Sequence, residues 1–396
     1  MTITAHAPLS NRRIVLEDTT LRDGEQAPGI SFSKAAKLDI LDALIKLGVQ
    51  WIEIGIPAMG GEELDTLRAS LERSSEAHLV AWNRGVLDDV QQSLDLGFRH
   101  IHIGLPTSNI HLSGSVGKDR AWLLERAVSL VRRGKDAGAF VSISAEDVGR
   151  TEPAFLQEYA AKVEEAGADR LRLSDTIGIL GPQAYARVVA NVAAASSIAT
   201  QCHCHNDFGL AIANTLAGLE AGASYFHVCV NGMGERAGMP DLAAAVLCLR
   251  QFYDLDLGLR LERLKPLSDL VARHCRKPLQ PWYPVVGENV FAHESGIHSK
   301  GMLTDANTFE PFPPALVGGR RRIVIGKHSG KAGIRHVLTS SGQIVDESLL
   351  EHCLTEVRSE AIRCGADVPP QRLLAIYHRI ESQNRAQAAL TEMHHG

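Results

Sequence analysis

No apolar run in this sequence reaches the ~20 residues that a membrane-spanning helix needs. The first residues also lack the apolar core of a secretory signal. Membrane insertion and export are therefore not expected, and the chain reads as cytoplasmic. An excess of positive charge is missing too. With 41 Lys and Arg against 46 Asp and Glu the net charge is −5, so no basic field points to nucleic acid or an anionic membrane. Seven cysteines (Cys202, Cys204, Cys229, Cys248, Cys275, Cys353 and Cys364) form no regular framework, which excludes a disulfide scaffold and fits a reducing compartment. No glycine-rich phosphate loop follows the first apolar run, which counts against an open dinucleotide-binding sheet.

What is present is an alternation. Short apolar runs fall at Ile14–Leu16, Trp51–Ile56, Leu79–Trp82, His100–Leu105, Phe140–Ser144, Arg170–Ser174, Ala199–Cys204 and Phe226–Val230. Amphipathic stretches lie between them, among them Lys34–Leu47, Trp122–Ala137, Pro153–Ala166 and Pro182–Ala195. Eight parallel βα units are the count that closes an α/β (β/α)8 TIM barrel. The 396 residues leave room for a smaller, mostly helical C-terminal region. Pro278, Pro281 and Pro284 mark a linker near its start. The expected division is a catalytic barrel over 1–265 and a linker with subdomain over 266–396.

Polar clusters follow the strands and not the helices: Arg22-Asp23, Glu53, Asn83-Arg84, Thr107-Ser108, Glu146-Asp147, Asp175-Thr176, His203 to Asp207, and Asn231 to Arg236. In a barrel all of them converge on the C-terminal face, where such enzymes keep their sites; an open sheet would spread them along one edge. His203 and His205 are two apart on a strand and share a face, while Cys202 and Cys204 point the other way. That parity excludes a Cys-His-Cys-His zinc–thiolate site. It leaves two imidazoles which, with Asp23, suit a divalent metal such as zinc, manganese, magnesium, cobalt or iron. Arg22 beside them would steady a carbonyl oxygen turning into an alkoxide, and Gln26 would touch the same substrate. Glu53 and Glu146 also close strands. A carboxylate there binds, abstracts a proton or pairs with an arginine, and the residues alone leave those roles open. None of the eight runs contains lysine, so imine chemistry is disfavoured.

Three motifs in order, Asp18-Thr19-Thr20-Leu21-Arg22-Asp23-Gly24-Glu25-Gln26, His203-Cys204-His205-Asn206-Asp207 and Gly232-Met233-Gly234-Glu235-Arg236-Ala237-Gly238, resemble the metal-dependent barrel synthases that make isopropylmalate, citramalate and homocitrate. The likeness covers about residues 13 to 335. Trp51 to Gly60 and Gly326-Lys327-His328-Ser329-Gly330 bring the chain nearest to homocitrate synthases of the nitrogen-fixation type. The resemblance implies a Claisen condensation of acetyl-CoA, as co-substrate, with an anionic 2-oxo acid. It assigns Asp23, His203 and His205, with Asn231, to the metal, and Arg22 and Glu146 to catalysis. Gln26, Glu53, His102, Ser144 and Thr176 are assigned to the substrate. His298 is expected to come from the C-terminal region of the partner in a homodimer.

The departures cluster where the oxo acid should sit. Phe309 stands where the family has tyrosine, Met239 where it has asparagine, and Ser142 where lysine-pathway homocitrate synthases carry arginine. Besides 2-oxoglutarate, an acidic isostere such as phosphonopyruvate, giving 2-phosphonomethylmalate, is therefore an expected substrate. Isopropylmalate or citramalate synthesis and hydroxymethylglutaryl-CoA-type carbon–carbon cleavage are the alternatives.

Overall fold

The computed structural model describes Leu9 and residues 12–395. The eight apolar runs form eight parallel strands: β1 (Val15–Asp18), β2 (Trp51–Gly55), β3 (His78–Arg84), β4 (His100–Gly104), β5 (Phe140–Glu146), β6 (Arg170–Asp175), β7 (Ala199–Cys204) and β8 (Tyr225–Val228). They close in sequence order, with β8 pairing back onto β1, which is the expected TIM barrel. The connecting helices carry their own start and stop signals. In Lys34–Leu47 the Ser33 hydroxyl caps the N-terminus by accepting from the Ala36 amide. Ile40, Leu41, Leu44 and Leu47 form the buried stripe, and Gly48, at φ 107, ends the helix in the left-handed region. No described helix is long and apolar enough to cross a membrane.

Strand alternation splits the barrel into two chemistries. Outward residues such as Ile52, Ile54, Ile101, Ile103, Val141, Ile143, Leu171 and Leu173 are sealed beneath the helices. Inward residues are polar where barrels ordinarily stack branched aliphatics: Glu17, Glu53, His102, Ser142, Arg170, Arg172, Gln201, His203 and His227, all buried. Buried charges persist only when paired, and here the pairing is dense. Glu53 accepts from Arg22 Nε (2.5 Å), Arg172 Nη2 (2.6 Å) and Thr19 Oγ1 (2.9 Å). Glu17 pairs with Arg170 (2.5 Å) and Arg172 (3.5 Å). At the strand starts the Arg170 guanidinium lies 5.3, 5.5 and 4.8 Å from the rings of Trp51, Phe140 and Tyr225, a cation in an aromatic cage.

The chain divides into two compact units, Met1–Leu279 and Gln280–Gly396. The division falls beyond the expected 265/266 because the helix Leu264–Cys275 packs on Lys34–Leu47 of the barrel unit. The second unit is mostly helical, as expected. A two-stranded pairing of Ala292–His293 with Arg322–Ile323 accompanies the helices Gly296–Thr304, Lys331–Ser340, Leu350–Cys364 and Pro370–His395. Its own core gathers Ile325, Ile334, Leu338, Leu350, Val357, Leu373 and Tyr377.

Candidate active site

The turn after β1 is fixed before any ligand is considered. Asp18 accepts from the Thr20 amide (2.9 Å) and hydroxyl (3.0 Å), and Thr20 Oγ1 in turn accepts from the Val230 amide beyond β8 (2.8 Å). Burial pushes the Asp18 carboxyl up to about 7. This clamp leaves Arg22 and Asp23 buried at the strand ends. Arg22 spends one guanidinium edge on Glu53 and another on Asp23 Oδ2 (2.9 Å) and Gln26 Oε1 (3.2 Å). The ring of Trp82 lies beneath it at 5.6 Å. Three partners and a ring hold the guanidinium in one orientation, which lysine could not reproduce.

Asp23, His203 and His205 come together as the parity of β7 requires. Their donor atoms lie within 4.8 Å of one another, and the imidazole centres are 5.2 Å apart. Asp23 Oδ1 and His205 Nδ1 are buried with no hydrogen-bond partner, and His203 Nε2 faces Asp23 Oδ2 at 3.5 Å. Burial holds both imidazoles below the usual histidine range, so they present lone pairs. Orphaned acceptors around one point, with two neutral imidazoles and a carboxylate, fit a divalent cation. Cys202 and Cys204 point outward, fully buried, and burial pushes the Cys202 thiol up to about 12. Asn231, the other expected ligand, lies beyond β8 in the turn Val230–Gly232. It occupies a left-handed turn (φ 60), where Ser268 donates to its Oδ1 (2.5 Å) and accepts from its Nδ2 (3.0 Å). Its amide is thus held by the helix Leu264–Cys275.

Around the trio, Glu53 serves as an anchor for Arg22 and Arg172 more than as a free carboxylate. His102 is sealed, its ring nitrogens 2.9 and 2.8 Å from the hydroxyls of Ser142 and Ser144, and forms the floor. Glu146 lies 3.5 Å from Ser144 Oγ, and burial raises its carboxyl above the ordinary range. Its space depends on Gly104, where a Cβ would come within 2.5 Å of Trp82 and 2.9 Å of Glu146 Oε1. The Thr176 hydroxyl accepts from the Asp147 amide (2.8 Å), tying the loops after β5 and β6 together. Arg236 of the glycine-rich loop is latched to Asp207 (2.8 and 2.9 Å) and to the Thr176 carbonyl (2.7 Å). His298 lies in the second unit, exposed and stacked at 4.1 Å on Phe309.

Sequence reasoning passed over Glu17, Trp82, Arg170, Arg172, Gln201 and His227. A signal was present: charges alternate with leucines in Arg170-Leu171-Arg172-Leu173, in the same parity as His203, and so must face the barrel axis.

The chain matches two family models: HMGL-like over residues 13–271, and a homocitrate synthase post-HMGL domain-like module over residues 285–363. It is 60% identical to 2-phosphonomethylmalate synthase of Streptomyces rubellomurinus over 366 residues, 92% of this chain and 98% of that one. Homocitrate synthase 1 of Nostoc sp. is 38% identical over 95% of this chain and 99% of its own. Among solved structures, an HMG-CoA lyase from Bacillus subtilis superposes with a TM-score of 0.62 at 18% identity, covering 68% of this chain and 95% of that one. It agrees in fold. With a closed barrel that gathers Arg22, Asp23, His203 and His205 at its mouth, and with matches to both modules, the chain belongs to the HMGL-like family and carries the post-HMGL module of its homocitrate synthase branch.

Proposed function

We propose that this protein condenses acetyl-CoA with phosphonopyruvate to give 2-phosphonomethylmalate and free CoA. The observation that carries the reading is the 60% identity, over nearly the full length of both chains, to a synthase of that product. Ser142 supports it, since the resemblance to lysine-pathway homocitrate synthases implies an arginine there for the distal acid and this chain lacks it. In the reaction the methyl C–H of acetyl-CoA breaks and its electron pair attacks C2 of the oxo acid. The carbonyl π pair moves onto oxygen as an alkoxide, and water then cleaves the thioester and releases the thiol.

Asp23, His203 and His205 would hold a divalent metal, which when bound polarises the ketone and gathers the oxo acid's oxygens. Arg22, oriented by Glu53, Asp23 and Gln26, faces the developing alkoxide. Glu146, its basicity raised by burial, takes the methyl proton. Gln26, Ser144 and Thr176 line the pocket. In a homodimer, His298 of one chain serves the site of the other. Seven free cysteines favour a cytoplasmic setting.

Thiol release with a panel of 2-oxo acids tests this reading, with turnover of phosphonopyruvate far above that of 2-oxoglutarate as the expected result. The reverse preference would favour the second reading, a homocitrate synthase, for which the module over residues 285–363 speaks.

A further inference from the structure

Strand β7 is not alone in holding His203. Its Nδ1 lies 2.8 Å from Nδ1 of His227, and Nε2 of His227 lies 3.0 Å from Oε1 of Glu17. The three residues come from the neighbouring strands β7, β8 and β1, with Glu17 and His227 as register partners. Glu17 and His227 have no exposure and His203 has 5%.

Donor counting gives each bond a direction. Glu17 is a carboxylate, flanked by Arg170 at 2.5 Å and Arg172 at 3.5 Å, and it accepts from Gln201 Nε2 at 3.2 Å. A carboxylate only accepts, so the proton of the His227–Glu17 bond sits on His227 Nε2. Two guanidiniums already answer the charge of Glu17, which leaves His227 as the neutral imidazole with a bare Nδ1. His203 therefore donates from Nδ1, and its Nε2 is bare, facing Asp23 Oδ2. Glu17, Glu53 and His227 also bring donor atoms together, but Arg22, Arg170 and Arg172 occupy both carboxylates, so guanidinium fills that cluster.

We propose that Glu17 and His227 are positioning residues: they lock His203 in the Nδ1–H tautomer and so aim its Nε2 lone pair at the metal position before a metal arrives. The inference rests on Asp23, His203 and His205 being the metal ligands. Outer partners of metal-bound histidines typically change metal affinity by about 10- to 100-fold when removed.

Histidine-selective 15N NMR of the metal-free enzyme, assigned with His203→Gln, reads the tautomer directly. The expected result is a protonated Nδ1 and a bare Nε2 on His203 without metal. A protonated Nε2, or an even mixture, would overturn the proposal whether or not any variant folds. Zinc competition titrations supply the second readout. His227→Phe should weaken zinc binding about 10- to 100-fold and scramble the His203 tautomer. His227→Gln, whose amide accepts from His203 and donates to Glu17, should recover most of the loss; if it recovers none, hydrogen-bond direction is not the cause. Asp23→Ala separates the two levels of inference. Undiminished zinc binding in Asp23→Ala would sink the ligand assignment itself. Loss of zinc in Asp23→Ala, with wild-type affinity and tautomer in His227→Phe, would sink the positioning role alone.

Discussion

Arg22 meets three partners through two nitrogens of one rigid plane, and an ammonium has one point of charge to offer in exchange. Arg22→Lys should therefore lower kcat by about 10²- to 10³-fold, the usual effect of losing one oriented donor to an oxyanion. Circular dichroism and zinc content should stay at wild-type levels, and an unchanged kcat would remove Arg22 from the alkoxide. Gly104→Ala tests the crowding around Glu146. The added Cβ must displace Trp82 or the carboxylate, so kcat should fall while the protein loses about 1–3 kcal/mol, the range for overpacking. Steady-state kinetics and urea unfolding read both. At this scale the sequence singles out Arg22, Asp23, His203, His205 and Glu146 near strand ends, and the fold brings the donor atoms of Asp23, His203 and His205 together. Nothing near Asn231 in sequence announces Ser268, its partner 37 residues on. Long-range partners of that kind are written in tertiary packing and in no local pattern.

Among the elements, strands and helices were legible to within a few residues because apolar runs and cap residues report local physics. Lys34–Leu47 matches its expected bounds, and β1 starts one residue later than expected and runs on to Asp18. That short extension hid the most consequential feature, for it turns Glu17 inward and completes the ionic interior. The interior makes stability depend on acidity. Burial lowers His100 and His227 to about 4, below their ordinary 6.5, and the surrounding cations bring Glu17 down to about 2. For groups whose folded pKa is depressed, the unfolded chain binds protons first. The share of stability that these three groups supply is thus complete above pH 6.5, falls from about 6.5 toward 4 through the histidines, and falls again from 4.5 toward 2 through Glu17, while Asp18, raised from 3.8 to about 7, runs the other way and offsets part of the upper stage. Thermal unfolding across that range should show the two stages. His100→Phe, packing against Trp51 and Phe140, should flatten the upper stage; an identical slope would assign the loss elsewhere.

At the scale of the whole molecule, the proposed sharing of sites between partners gives a test that needs no structure of the dimer. Asp23→Ala and His298→Ala should each be nearly inactive. Mixed after unfolding and refolding together, they should regain activity, because one site of each mixed dimer then has both residues intact. No recovery above the sum of the two variants would place His298 outside the partner's site. The chain separates after Leu279, and composition could not show where the barrel unit ends. The prolines at 278, 281 and 284 bracket the observed boundary more closely than the periodicity near 265 did.

The hydrogen bond from Arg170 Nε to Ser142 Oγ, at 3.0 Å, bears on how such proteins diverge. An arginine at position 142, the choice of lysine-pathway homocitrate synthases, would set a second guanidinium against the caged one. Ser142→Arg should then fail as a single step toward a new oxo acid and succeed only beside a neutral residue at 170. Positions 142 and 170 are coupled through that hydrogen bond, so a route that changes them one at a time passes through an intermediate with its interior out of electrical balance.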